Sequence, residues 1–503
     1  MRGMDMLVWG LGGAFLVSLA GVGGCWLRPW TVLFAFSAVF LLRLRLQDGR
    51  SGAGWFERRP RMTLFWLCLT VYLSTFRWHG GDDIPNSLLP YALLGHGTLT
   101  FDPFPGWAGR DNMRDLVHFV NGHWLSTYPV APGILALPLY VIPALFGVPP
   151  TDVFLHNLAK IAGAGITALS ATVVLRILEA RCSRRWALAV TLLYAFGTYA
   201  FSVSGQALYS HGPAQLGVAL GVLGMLSASA SGPLLSGFGF GLALVSREDS
   251  VFFLAAAGLF FLIHRRAGLP RFLAGLMAPV ALNLAYWHAS TGRLQPPYLD
   301  IQSGMFATLK LSALSAMLLS PARGLLFFFP AAVFAAWGAG RAVGDPRRRW
   351  IPYLASACFA VWVFYGFRLT WTGGNTFGNR YFSVVCLLLA LFCGEVEDEV
   401  RGSRRLSWAW AATFAICVSV HAVGAYFNWP GANLTLSEQD AALWSLRQFP
   451  LVTLFTADGA LGGLGFGLRA VAAAAFVACS VPLAWWMRRL IQPARENLSE
   501  ALF

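Results

Sequence analysis

Long apolar segments alternate with short polar ones along almost the whole chain. A helix of about twenty apolar residues crosses a bilayer, so the shorter segments must be tilted or extended by their neighbours. The pattern predicts an all-α polytopic membrane protein with about 12–14 transmembrane helices. The predicted spans are 7–26, 30–45, 62–77, 157–178, 186–203, 213–229, 234–246, 250–263, 271–288, 324–338, 350–368, 381–394, 408–427 and 467–487.

The composition agrees with this pattern. Of the 503 residues, 57% are hydrophobic and 12% are charged, and the mean hydropathy is +0.59. Soluble domains carry about 25% charged residues, which excludes an ordinary soluble enzyme. The net charge of +14 does not indicate a nucleic-acid partner, because the arginines cluster between apolar segments, where basic residues meet anionic lipid.

Basic residues fall mostly in alternate loops. With both chain ends in the cytoplasm, the inner loops hold the arginines of 43–61, 176–185, 265–271, 341–349 and 401–405. Inner loops of membrane proteins are enriched in Lys and Arg, so this orientation is favoured over its opposite. The longer polar segments then share the non-cytoplasmic side; they are 78–156, 204–212, 289–323, 369–380 and 428–466.

The segment 134–147 is apolar enough to cross the membrane, but a span there would invert every later loop. We therefore predict a helix that lies along the outer interface. Three regions follow along the chain. They are an N-terminal helical hairpin with a basic loop (1–61), a main transmembrane module with the outer loop 78–156 (62–395), and a C-terminal transmembrane segment with the outer loop 428–466 (396–503).

Two adjacent carboxylates, Asp82 and Asp83, come directly after a predicted span, in a turn that Gly80 and Gly81 permit. A carboxylate at this depth can accept a proton from an acceptor hydroxyl or hold a divalent cation. The structural alternative is a pair that only caps the helix starting near Pro85.

Several motifs around this pair occur in one order and on one predicted side. The chain resembles bacterial GT-C glycosyltransferases, and it is similar to the dolichyl-phosphate-mannose protein mannosyltransferases and to the aminoarabinose transferases of lipid A. The resemblance covers roughly 62–395. Its motifs are Gly81-Asp82-Asp83-Ile84-Pro85, Leu88-Leu89-Pro90, Gly97-Thr98-Leu99, Tyr128-Pro129, Ser320-Pro321-Ala322-Arg323-Gly324-Leu325 and 371–381.

The resemblance implies a GT-C-like helical bundle whose outer loop 78–156 is catalytic. It implies a polyprenyl-phosphate-linked sugar donor, used on the outer face of a bacterial inner membrane, and an acceptor glycan, lipid or protein. Asp82, with Asp83 second, would be the base of an inverting transfer. We expect no metal and no other cofactor, because related branches usually need no divalent cation.

A polyprenyl-phosphate leaving group gains negative charge, which Arg or Lys near the outer surface would stabilise. The candidates for donor-phosphate binding are Arg247, Arg323, Arg380 and Lys160. Arg247 has an alternative role in an ion pair with Glu248 or Asp249. Lys160 could instead extend its ammonium to the interface.

Two further residues are candidates for substrate binding. Tyr128 lies in the stretch that is similar to the family's Tyr-Pro-Pro motif, and His211 lies in a short outer loop. His118 and His123 are five residues apart, which suits a metal site poorly. The alternative function is a polytopic transporter or lipid flippase, although its ionisable groups would be expected at the bilayer midplane. A polymerase or ligase of surface polysaccharide would share the lipid-linked donor.

Overall fold

A computed structural model describes residues 59–75, 83–110, 113, 116–294, 304–374, 376–427, 442–456 and 480–492. Asp82 and the predicted spans 7–26 and 30–45 lie outside these residues, as does most of 467–487. The total of about 12–14 transmembrane helices therefore stays a prediction.

The described residues are predominantly helical. Among the described helices of nine or more residues, the first seven are α1 Pro60–Leu73, α2 Asp83–His96, α3 Ala131–Leu145, α4 Asp152–Glu179, α5 Arg184–Phe196, α6 His211–Leu226 and α7 Gly232–Ser246. The next seven are α8 Val251–His264, α9 Leu269–Thr291, α10 Leu311–Leu319, α11 Ala332–Arg341, α12 Trp350–Gly366, α13 Ser383–Cys393 and α14 Arg404–Tyr426. A further helix covers 480–491.

The helices reproduce the predicted membrane pattern. Three described helical segments are long and apolar enough to cross a membrane, namely α4, α14 and the 26-residue segment Arg266–Thr291 that contains α9. The shorter helices α1, α3, α6, α7 and α12 are also apolar. The prediction of a helical fold with membrane helices is confirmed.

The predicted span 324–338 is not one continuous helix. The structure has a single turn, Leu325–Phe328, and then α11, which begins at Ala332. Pro330 lies between them, and proline lacks the N–H that would continue the helical hydrogen bonds. Consecutive bulky aromatic side chains come just before the break, and they keep the segment apolar. Hydropathy therefore predicts the location of the apolar segment but not the interruption of its helix.

Helices α6 and α7 pack at backbone distance. A Cβ atom added at Gly217 of α6 would lie 2.6 Å from the Ala243 nitrogen, and one added at Gly239 of α7 would lie 2.3 Å from the Gly221 nitrogen. Small residues allow two helices to approach this closely, as is common in membrane proteins. Helix α7 is packed in turn against α9, and α6 against α4. Helices α4, α6, α7 and α9 are thus packed in sequence, and α9 is the most exposed of them, with 11% of its 18-residue apolar stretch buried.

The segment that follows α2, which the sequence predicts to lie on the outer side, builds a small second core. Strand β1, Val117–Val120, pairs antiparallel with β2, His123–Ser126, and their turn is Asn121-Gly122. Both turn residues have positive φ, 52° and 86°, as a two-residue hairpin turn requires. Asp102 fixes the hairpin, because its carboxylate accepts the Trp124 backbone N–H at 2.8 Å and contacts His123 at 2.6 Å.

Helix α3 corresponds to the segment predicted to lie along the membrane interface. It packs against α2 on one side, and its last turn exposes Ile142, Leu145 and the following Phe146. An apolar helix with one covered side suits an interfacial position. Its depth in the bilayer and the sidedness of the outer segment stay predictions.

Candidate active site

Helix α7 ends at Ser246, and the next residue, Arg247, lies in extended backbone before a short 3₁₀ turn and α8. Its guanidinium pairs with Asp249 through two contacts, Nη2 to Oδ2 at 2.8 Å and Nε to Oδ1 at 3.2 Å. The Tyr365 hydroxyl of α12 accepts from Arg247 Nη2 at 3.0 Å and donates to Asp249 at 2.6 Å. The ion pair that the sequence left open for Arg247 is thus made with Asp249.

His211 joins this group at the first residue of α6. Its Nε2 lies 3.2 Å from Arg247 Nη1, and its ring is buried. A guanidinium only donates hydrogen bonds, so Nε2 must be the acceptor and the ring proton must be on Nδ1. The histidine is therefore held as a neutral imidazole beside a cation. The structure brings the predicted residues His211 and Arg247 together.

Arg380 is the first residue of a 3₁₀ turn that precedes α13. Its charge acts on His211 and also on Arg323. The next residue, Tyr381, stacks on Tyr365 with ring centroids 4.1 Å apart and an interplanar angle of 5°. Three of the four candidate cations, Arg247, Arg323 and Arg380, therefore belong to one group.

Arg323 holds the loop that carries Arg380 through contacts with its backbone. The buried guanidinium of Arg323 donates to the carbonyl oxygens of Thr376, of Gly378 at 2.6 Å and of Gly374 at 3.4 Å. Gly374 and Gly378 have positive φ, so the loop needs glycine there. Burial is the main cause that lowers the pKa of Arg323 to about 10, so it remains charged at neutral pH. These contacts favour a positioning role for Arg323 over phosphate binding.

Arg368, which had no prediction, and Glu248, the other carboxylate considered for Arg247, also belong to this group. The Arg368 guanidinium lies over the Tyr381 ring at 5.2 Å and over the Tyr365 ring at 6.0 Å. Burial raises the pKa of Glu248 to about 7, against the attraction of Arg247 and Arg368. We call Arg247, Arg323, Arg368 and Arg380, with His211, Asp249 and Tyr365, the arginine cluster. Among the described residues of this group, four guanidinium groups face the carboxylate of Asp249 and that of Glu248, whose pKa burial raises, so positive charge is in excess.

The carboxylate candidate that the structure describes is Asp83, the first residue of α2. Its side chain is buried, and Oδ2 lies 3.2 Å from Nδ1 of His156, the fifth residue of α4. One turn later in α2, Asn86 donates to the Leu208 carbonyl oxygen at 2.8 Å. Leu208 is three residues before His211, so Asp83 belongs to the end of the bundle where the arginine cluster lies. We call this the site end. Asp82 lies outside the described residues.

Lys160 lies one helical turn after His156, on the same face of α4. Its buried ammonium donates to the Thr75 hydroxyl at 3.1 Å, the Gly205 carbonyl at 2.8 Å and the Gln206 amide oxygen at 2.9 Å. Among the described residues, these three acceptors hold the ammonium inside the bundle. The contacts tie the end of α1 to α4 and to the chain before α6. They favour a positioning role, and the predicted phosphate contact of Lys160 stays a prediction.

Tyr128 lies just after β2, in the second core. Its ring is half-buried, and its backbone N–H donates to the Ser126 hydroxyl at 3.0 Å. The chain then enters α3, whose Gly133 lies against the Asn86 carbonyl: a Cβ there would come within 2.9 Å. Tyr128 thus belongs to the segment packed beside α2. Its substrate contact stays a prediction.

Comparison with known proteins gives one kind of likeness. No protein-family model matches the chain, and no curated protein sequence does. The fold is similar to archaeal oligosaccharyltransferases. The structure of AglB from Archaeoglobus fulgidus, solved with an inhibitory peptide and a dolichol-phosphate, has 12% identity and a TM-score of 0.43, and the match covers 78% of this chain and 60% of that one. The apo form of an Archaeoglobus fulgidus oligosaccharyltransferase has 13% identity and a TM-score of 0.39, and the match covers 78% of this chain and 57% of that one.

The chain therefore spans less than two thirds of the length of these transferases. About one aligned residue in eight is identical, so the likeness assigns no role to any side chain.

The sequence reasoning missed four residues that the contacts include. His156 was within reach, because His156 and Lys160 have the i, i+4 spacing that places two side chains on one helix face. Tyr365 and Arg368 lie at the end of an apolar segment where no polar motif marks them, and Gln206 acts through Lys160. Only the fold shows that these positions meet.

Proposed function

We propose that this chain is an integral-membrane glycosyltransferase of the GT-C type. It would transfer a sugar from a polyprenyl-phosphate donor to an acceptor glycan, lipid or protein on the non-cytoplasmic face of a bacterial inner membrane. The observation that carries the proposal is the arginine cluster, which shares the site end with the buried carboxylate of Asp83.

The donor's phosphate would bind to Arg380, with Arg247 beside it. Arg380 is half-buried in a glycine-rich turn, and Arg247 is fixed by Asp249 and Tyr365. Guanidinium groups form charge-assisted, often bidentate hydrogen bonds with phosphate oxygens. A cluster that is partly buried makes these contacts stronger than they are in water. Arg323 and Arg368 would add positive charge and help to position the side chains around the phosphate.

The reaction needs a base opposite the leaving group. In an inverting transfer, the acceptor oxygen attacks the anomeric carbon while the bond from that carbon to the phosphate oxygen breaks. The acceptor's proton passes to a carboxylate, and the bonding electrons leave with the phosphate. Asp82 is the first candidate for this base. Asp83, whose carboxylate His156 orients, is the second.

The proposed chemistry uses cations that belong to the protein. The positive charge of the arginine cluster would take the place that a divalent cation has in many phosphate-transfer sites. We therefore propose that transfer needs no added metal. A titration with a chelator tests this part separately from the rest.

The deciding experiment is to identify the product. The purified full chain, in lipid nanodiscs, is given a panel of synthetic polyprenyl-phosphate sugars together with an envelope lipid and glycan extract. Mass spectrometry should show a sugar added to an acceptor and free polyprenyl phosphate in equal amount. In the same preparation reconstituted into vesicles, intact donor that crosses the bilayer without any sugar transfer would contradict the proposal and favour a flippase.

A further inference from the structure

A cavity lies at the end of the bundle opposite the site end, where α4, α6 and α8 end and α12 begins. It has a volume of about 580 Å³. The walls include apolar side chains such as Ile177, Leu223 and Phe260, while the polar lining is dominated by guanidinium groups. The six arginines are Arg61, Arg176, Arg181, Arg265, Arg347 and Arg349.

The charge of this lining is only partly balanced by the protein. Arg61 pairs with Glu179 at 2.8 Å, and Arg181 pairs with Glu395 at 2.7 Å. Within the part of the chain that the structure describes, Arg176, Arg347 and Arg349 form no ion pair.

Glu179 is the acidic residue of the lining. Arg265 donates to two backbone carbonyl oxygens, those of Met225 at 3.1 Å and Ser227 at 2.8 Å, and so keeps its full charge in the wall. Several guanidinium groups that converge on one hollow without matching carboxylates form a site for an anion.

The same helices connect this cavity to the arginine cluster. Helix α6 begins with His211 and lines the cavity at Leu226, while α12 lines the cavity at Trp350 and reaches the cluster at Tyr365. Fifteen helical residues separate the members of each pair, or about 22 Å at 1.5 Å per residue. The cavity is therefore not part of the active site. All six arginines belong to loops or helix ends that the sequence assigns to the cytoplasmic side.

We propose that this cavity binds a phosphate group, and that the group is the headgroup of an anionic phospholipid or a soluble phosphate from the cytoplasm. The guanidinium groups provide the bidentate donors that phosphate oxygens take. Isolated basic residues at a membrane surface attract anionic lipid by charge alone and form no shaped binding site. Here the arginines line a cavity whose walls also include apolar side chains. The proposal does not depend on the transferase activity.

The test compares two double variants of the full chain that remove the same charge on the same predicted side. Arg347→Gln with Arg349→Gln changes the cavity; both side chains are exposed and form no ion pair with the described residues. Arg404→Gln with Arg405→Gln changes two exposed arginines at the start of α14, outside the cavity. The thermal midpoint is measured in detergent with added phosphatidylglycerol, with phosphatidylcholine, and with inorganic phosphate at constant ionic strength.

We expect phosphatidylglycerol to stabilise the unmodified chain and the Arg404/Arg405 variant over the phosphatidylcholine control. The Arg347/Arg349 variant should need about tenfold more of this lipid for the same shift. If inorganic phosphate gives that pattern instead, the phosphate comes from a soluble molecule. If both double variants lose stabilisation equally, or neither loses any, the attraction is a property of the whole basic surface and the cavity is not a site.

Discussion

Replacing Tyr365 with phenylalanine tests how the arginine cluster is held. The change removes only the hydroxyl that accepts from Arg247 at 3.0 Å and donates to Asp249 at 2.6 Å. Tyr381 is the matched control. Its ring forms the other half of the same stack, at 4.1 Å, and no hydrogen bond of its hydroxyl is present among the described residues. Both variants therefore keep the stacked ring, and only Tyr365→Phe loses hydrogen bonds to the described residues.

The size of the effect follows from these contacts. A hydrogen bond to a charged group contributes about 1.5–3 kcal/mol. Tyr365 makes two of them, but Arg247 and Asp249 still pair directly at 2.8 Å after the change. We therefore expect a loss of about 2 kcal/mol rather than the sum, since the buried charges are not left without partners. For a chain of 503 residues that is a fall in thermal midpoint of roughly 2 °C.

The assays are thermal unfolding in detergent and the KM for the polyprenyl-phosphate donor. Tyr365→Phe should lower the midpoint and raise the donor KM about three- to tenfold, because Arg247 loses one of the contacts that orient it toward the donor's phosphate. Tyr381→Phe should change neither by more than experimental scatter. Equal behaviour of the two variants would refute the view that the Tyr365 hydroxyl orders the cluster.

Three further predictions concern single residues around the cluster. Arg323→Gln should lower the thermal midpoint by more than Tyr365→Phe does, since three carbonyl oxygens of the loop 374–378 lose their donor; unfolding scans check this, and an unchanged midpoint would contradict it. Because the folded chain raises the pKa of Glu248 from 4.5 to about 7, the folded state binds more protons than the unfolded state between these values. Stability should therefore decrease as the pH rises through this range, and Glu248→Gln should remove that part of the slope in midpoints measured from pH 4.5 to 8. Lys160→Met should lower the midpoint while the donor KM changes less than about threefold; a large rise in KM at constant midpoint would make Lys160 a phosphate ligand instead.

Much of the architecture follows from apolar periodicity, because a helix in lipid must satisfy its backbone groups internally and expose apolar side chains. That requirement is local, so the sequence predicts the positions of most described helices. The interruption at Pro330 shows the limit. The apolar run from 324 to 338 predicts one span, while the missing N–H of the proline divides it.

The candidate site is less predictable because it depends on contacts between distant segments. The sequence predicts that Arg247, Arg323 and Arg380 share a side. In the structure they are linked through the Arg247–Tyr365 hydrogen bond, the Tyr365–Tyr381 stack and the contact of Arg323 with Gly378. The sequence does not reveal that the N–H groups of Arg323 donate to backbone carbonyl oxygens, because every residue has a carbonyl oxygen and no residue type indicates which of them will be the acceptors. The partner of Asp83, His156, is 73 residues away and is fixed only by the packing of α2 against α4.

The most direct test of the central claim is the rate of sugar transfer by Asp82→Asn and Asp83→Asn, compared with Asp152→Asn. Asp152 lies in the same outer segment, is about half exposed, and pairs with Arg110 on the surface, so its loss should leave the rate within about twofold. A base contributes about 10²–10⁴-fold to a reaction of this kind. We predict that Asp82→Asn lowers kcat by at least about 100-fold without changing the donor KM. Turnover at the level of the Asp152 variant in both Asp82→Asn and Asp83→Asn would contradict the account.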